Sequence, residues 1–103
     1  MAKTKITVLK RAVFQDLVDQ YLSPGAIKPC ERFTEGQEFI IESDIELPPN
    51  FCGWAWNDLY KTVLVLLEGK DYSPWTRDGS NVVLACCSDG YRPVVFKLEG
   101  IKD

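Results

Sequence analysis

Histidine is absent from all 103 residues. Without it there is no Ser-His-Asp triad, no Cys-His dyad and no zinc site with imidazole ligands. There is no C-x-x-C pair either, so the local knuckles of zinc ribbons and ferredoxin loops are missing. Long apolar runs are missing too. The longest purely aliphatic run covers residues 63–67, far short of the ~20 residues that span a bilayer. The N-terminal stretch carries Lys3, Lys5, Lys10 and Arg11 but no apolar core, so it does not read as a signal peptide. Finally, basic residues are not in excess. Twelve Lys and Arg against fifteen Asp and Glu leave a net charge of −3, which argues against a phosphate-backbone binder. The four N-terminal basic residues read instead as protection of a strand edge. The expectation is a soluble, cytoplasmic, prokaryotic-type protein with neither nucleic acid nor membrane as partner. A protein partner stays open.

What the chain does have is four cysteines: Cys30, Cys52, Cys86 and Cys87. A content of 46% hydrophobic and 12% aromatic residues suffices to build a core at this length without disulfide staples. In a reducing compartment the cysteines therefore stay free, bind metal or do redox work.

Residues 3–9 alternate apolar and polar and predict a strand. Residues 14–22 have helical spacing, with Phe14, Leu17, Val18, Tyr21 and Leu22 on one stripe, and Ser23-Pro24-Gly25 stops them. A loop with Pro29-Cys30 leads through a turn at residues 34–37 into a strand at 38–42. An acidic, proline-rich connector follows. The main helix is expected from Phe51 or Trp54 to Glu68, with Asn50 as N-cap and Gly69 just past the end. Its buried face would hold Trp56, Leu59, Tyr60, Val63, Leu66 and Leu67. Residues 81–88 and 92–98 read as a hairpin with Asp89-Gly90 as a two-residue turn. The order β-α-β-α-β-β predicts a single α+β domain of residues 1–103, with two helices on a mostly antiparallel sheet of about four strands.

The cysteines are the candidate chemistry. Cys52 lies at or just before the main helix, where partial positive charge and free N–H groups favour a thiolate. A small buried residue beside Trp56 is the plainer reading. Cys30 sits in a loop, the kind of element that often carries ligands. A two-residue turn would pair Ser88 with Tyr91, Cys87 with Arg92 and Cys86 with Pro93. Because side chains alternate faces, the two vicinal sulfurs then point opposite ways. Val83, Ala85, Cys87, Arg92, Val94, Phe96 and Leu98 share one face. Val82, Leu84, Cys86, Pro93 and Val95 share the other. Both faces look apolar, so the strand reads as central and covered on both sides. One vicinal cysteine can join Cys30 and Cys52 without a bulge. Glu42, Asp44 and Glu46 alternate, but a solvated edge explains them better than a hard-cation site. Phe51, Trp54, Trp56, Tyr60, Tyr72 and Trp75 read as core rather than as an aromatic pocket.

Three phrases carry a resemblance: Cys30-x-x-Phe33-x-x-Gly36-Gln37-x-Phe39, Phe51-Cys52-x-Trp54-Ala55-Trp56, and Ala85-Cys86-Cys87-Ser88-Asp89-Gly90-x-Arg92-Pro93-Val94-x-Phe96. They resemble a widespread family of small cysteine-containing bacterial and archaeal proteins that carries no assigned activity. Relatives tend to have Cys-Pro-x-Gly-His-Lys-x-Gly-Asp around the first cysteine and Ala-Cys-Pro-Asp where this chain has Ala85-Cys86-Cys87-Ser88. The resemblance implies Cys30, Cys52 and Cys86 as the shared set, with Cys87 variable. Some relatives have a histidine after the first cysteine, near the place where this chain has Phe33 or Thr34.

Three functions compete. The leading one is a thiolate metal-binding module with Cys30, Cys52 and Cys86 as ligands to zinc or an iron–sulfur cluster. Cys87, Asp89, water or a partner would complete the set. The second is a thiol-redox protein with Cys52 as the thiolate-prone attacking sulfur and Cys30 or Cys86 resolving. The third is a non-catalytic interaction domain whose cysteines are core. No residue is assigned as catalytic, and the balance leans away from an enzyme.

Overall fold

The alternation at the start of the chain becomes a ten-residue strand in the computed structural model, which describes residues 2–25 and 27–102. The elements are β1 (Ala2–Arg11), α1 (Gln15–Tyr21), β2 (Glu38–Ile41), α2 (Gly53–Leu67), β3 (Val82–Cys86) and β4 (Val94–Lys102), with a short 3-10 turn at Ser73–Trp75. The four strands form one sheet in the order β2-β1-β4-β3, and every neighbouring pair is antiparallel. With two helices, this is the single small α+β domain expected.

β1 lies inside the sheet, between β2 and β4, so its lysines do not guard an edge. Thr4, Ile6 and Val8 point into the core. On the opposite face Lys5 pairs with Glu38 at 2.9 Å and Lys3 with Glu42 at 3.3 Å. Those ion pairs also account for Glu42, the first residue of the alternating acidic run. The β1–β4 register shifts between Val8 and Lys10, a bulge that bends the end of β1.

α2 covers the inner face. Ala55, Leu59, Val63 and Leu66 recur every three or four residues and are buried, as a helix lying on a sheet requires. Trp56 and Leu67 are half-buried beside this stripe, and Tyr60 is exposed. Gly69 takes a positive φ of 87° just past the helix and its N–H donates to the Leu66 carbonyl, the usual left-handed C-terminal cap. The N-cap is Cys52 rather than Asn50. Asn50 has φ 65° and belongs to a turn in which the Phe51 N–H donates to the Pro48 carbonyl at 3.2 Å. That turn delays the helix by two residues.

α1 is shorter than its apolar spacing predicts. Only Val18 is buried, while Phe14, Leu17 and Tyr21 are exposed. Seven residues make two turns, too few to lay a whole stripe on the sheet.

β3 is an edge strand, not a central one. Cys86 pairs with Val95, two residues further along β4 than a two-residue turn would place it. The side chain of Asp89 explains the difference. Its Oδ1 accepts from the N–H groups of Tyr91 and Arg92, both at 2.9 Å, and this Asx turn widens the connection. A shift of two preserves the faces. Val83, Ala85 and Cys87 still align with Leu98, Phe96 and Val94.

Leu66 tests this packing. It is fully buried beneath α2, so Leu66→Ala should lower unfolding free energy by ~2–5 kcal/mol in urea denaturation. A loss below about 0.5 kcal/mol, the range of surface changes, would place it outside the core.

Candidate functional site

A cleft of about 430 Å³ opens where three segments meet. Cys30, Arg32 and Phe33 come from the loop before β2. Cys52, Trp54 and Ala55 come from the start of α2. Cys87, Tyr91 and Arg92 come from the β3–β4 connection. The volume lies within the range of small-ligand sites.

Each segment is held by identifiable contacts. Phe33 is buried and anchors the first loop from within. Its ring meets Phe51 and Phe96 edge-on, both at 5.1 Å between centroids. Arg11, at the end of β1, ties the same loop from outside. Its Nη1 donates to the Cys30 carbonyl at 2.9 Å and its Nε to Glu35 Oε1 at 2.8 Å. Hydrogen bonds to its own backbone, and then Arg11, hold the Glu35 carboxyl below its usual range, against burial. Backbone pairing of Gly36 and Gln37 with Val8 completes the attachment.

Two α2 side chains grip the third segment. Trp54 Nε1 donates to Ser88 Oγ at 2.8 Å, and Ser88 N–H donates to Asp58 Oδ2 at 2.7 Å. From the other side, Ala12 N–H donates to the Pro93 carbonyl and Phe14 N–H to that of Tyr91. Burial pushes the Asp89 carboxyl up. The N–H groups of Arg92 and Tyr91 and the Arg92 charge outweigh it, so the group titrates below its ordinary value.

The cysteines divide three to one. Cys30 and Cys52 line the cleft and are half-buried. The third is Cys87, not Cys86. Only one vicinal cysteine can face the cleft, and Cys87 lies on the inner face with Val94, Phe96 and Leu98. It is 7% exposed, its N–H donates to the Val94 carbonyl at 3.1 Å, and its Sγ accepts from the Val94 N–H at 3.3 Å. Cys86 is exposed and does not line the cleft. Lys97 and Glu99 continue its face along β4 and mark that face as the solvent side. They were the signal in the sequence that could have separated the vicinal pair.

Among the described residues, no three His, Cys, Asp or Glu side chains stand together closely enough to share an ion. The set expected as ligands to zinc or an iron–sulfur cluster, Cys30, Cys52 and Cys86, is not brought together, because Cys86 lies off the cleft. The acidic run of Glu42, Asp44 and Glu46 also forms no such group. No helix among the described residues is long and apolar enough to cross a membrane.

The aromatic residues split as well. Phe51 is core, and Trp56 packs against it at 5.9 Å. Trp54 is 66% exposed on the cleft wall, and Trp75 stands in solvent. The spacing of residues along the chain did not single out Arg32, Trp54, Tyr91 or Arg92 as a set, because their meeting depends on loop geometry. The chain matches no known family profile, no curated protein and no solved structure.

The Asx turn at Asp89 gives a pH test. A carboxyl with a depressed folded pKa contributes stability above its unfolded pKa, about 3.9. That contribution is lost as pH falls through the lower folded value. Asp89→Asn keeps the Oδ1 acceptor but cannot titrate. Urea midpoints followed from pH 6 downward (~4 being where the loss begins) should fall less steeply in the variant. Parallel curves would show that Asp89 contributes nothing to acid sensitivity.

Proposed function

We propose that the protein is a thiol-redox module that reduces small disulfides through Cys52 and Cys30. The observation that supports this most is the gathering of three of the four cysteines on one cleft at the start of α2. Cys52 is the attacking sulfur. It is half-buried and open to the cleft, and as N-cap it stands at the positive end of a fifteen-residue helix. Cys30 is the resolving sulfur, because it is the other half-buried thiol and its backbone is held by Arg11. Cys87 forms the floor, with its sulfur already hydrogen-bonded.

The steps balance as thiol–disulfide exchange. The Cys52 thiolate attacks one sulfur of R–S–S–R. A Cys52–S–R bond forms, the substrate S–S bond breaks, and RS⁻ leaves with the bonding pair. The Cys30 thiolate then attacks Cys52 Sγ. A Cys30–Cys52 disulfide forms and a second RS⁻ leaves. The substrate gains two electrons and the protein dithiol loses two. An external dithiol returns them. Negative charge spreads over three sulfurs in each transition state, and the uncapped first turn of α2 is placed to stabilise it.

The test uses hydroxyethyl disulfide, which is uncharged, on reduced protein carrying Cys86→Ser to remove the exposed thiol. Mass spectrometry should find a Cys30–Cys52 disulfide, with Cys87 left as a thiol. Adding Cys30→Ser should trap the mixed disulfide on Cys52. Adding Cys52→Ser should slow thiol release by about tenfold or more, equivalent to ~1.4 kcal/mol in the barrier. If Cys52 reacts no faster than Cys86 of the wild-type chain, the redox reading fails.

A further inference from the structure

Besides the sulfurs, the cleft holds two arginines with little to do. Arg32 and Arg92 both line it, and among the described residues neither guanidinium makes a hydrogen bond or an ion pair. Four basic side chains outside the cleft are engaged. Lys3, Lys5 and Lys97 pair with Glu42, Glu38 and Glu99, and Arg11 holds Glu35 and the Cys30 carbonyl. One carboxylate, Asp89, also lines the cleft and feels the Arg92 charge. Its Oδ1 is taken by two backbone N–H groups. The cleft thus carries two cations against one anion in a chain whose net charge is −3. The exposed ring of Trp54 supplies an apolar wall beside them.

We propose that this cleft selects a small carboxylate-bearing sulfur compound, with Arg32 and Arg92 holding the carboxylates while the sulfur rests against Cys52. The sulfur part of this assignment rests on the redox reading, and the charge part rests on two cleft-lining guanidiniums that make no hydrogen bond or ion pair among the described residues. Arginine suits the task because its planar fork meets a carboxylate with two parallel hydrogen bonds. A net anionic protein that must admit an anion needs such a local reversal of charge.

The experiment separates the two parts by using a probe that cannot exchange. Thiodipropionate is a thioether dicarboxylate, and its dimethyl ester has the same skeleton without charge. Binding of each is followed by Trp fluorescence, since Trp54 lies on the cleft wall. The acid should bind at least about tenfold more tightly than the ester, the order expected from one charged hydrogen bond. High salt should weaken the preference. The Arg32→Gln, Arg92→Gln double variant should abolish it, and the corresponding Arg→Lys variant should keep part of it, which a mere folding defect would not. Equal binding of acid and ester, or binding of neither, overturns charge selection whatever the exchange assay shows. Acid-selective binding that survives in the double glutamine variant also overturns it. Acid-selective binding in a protein that fails to exchange with hydroxyethyl disulfide supports charge selection and removes the redox reading.

Discussion

The ring of Phe51 meets four others: Phe33 at 5.1 Å, Phe39 at 4.8 Å, Phe96 at 5.8 Å and Trp56 at 5.9 Å. These come from the Cys30 loop, β2, β4 and α2. One side chain therefore fixes the distance between the sheet, the helix and the loop in front of it. Its position immediately before Cys52 means that whatever places the ring also places the sulfur. Phe33 follows Cys30 by three residues, and Phe96 lies opposite Ala85, two residues before Cys87. Each cleft cysteine is thus within three residues of the aromatic core or of the strand position facing it. Edge-on rings hold their orientation as well as their area, so the core sets angles at the cleft and not only spacing.

Polar contacts do different work. The bonds of Arg11, Trp54, Asp58 and Asp89 lie at the surface or are half-buried, where each contributes little to net stability. Their value is positional. They fasten irregular backbone between regular elements, and irregular backbone is what lines the cleft. The two arginines in the cleft stand apart from this pattern because, among the described residues, neither guanidinium makes a hydrogen bond or an ion pair, although the Arg92 charge is felt by Asp89.

Much of the architecture was legible in the chain itself. The period of two in β1, the apolar stripe of α2, Gly69 as a helix stop and the pairing of β3 with β4 follow from local rules. The structure departs from these rules where one local signal is overridden by its neighbours. Asp89-Gly90 looks like a complete hairpin turn, but the carboxylate reaches two residues on and widens it. Asn50 looks like an N-cap, but Pro48 and Pro49 turn the chain first. The choice between Cys86 and Cys87 needed the whole length of β4, because the two faces look equally apolar until Lys97 and Glu99. The cleft was least legible. Cys30 and Cys52 stand out in the sequence by residue type and position, whereas Arg32, Tyr91 and Arg92 meet them only through loops whose course depends on side-chain contacts far away in sequence.

The central pair of the sheet, β1 with β4, joins Ala2 to Lys102 and Arg11 to Val94. Before β4 arrives, β1 has a partner on one side only, and α2 has no completed surface to cover. A two-stranded ribbon is marginal in water. The fold therefore cannot be assembled in order from one end. Its middle is made last, and the search for that long-range pairing governs the folding rate. A growing chain holds Phe33, Phe39 and Phe51 before Phe96 exists to receive them. The same aromatic hub that later sets the cleft is, during synthesis, a sticky surface waiting for its final strand.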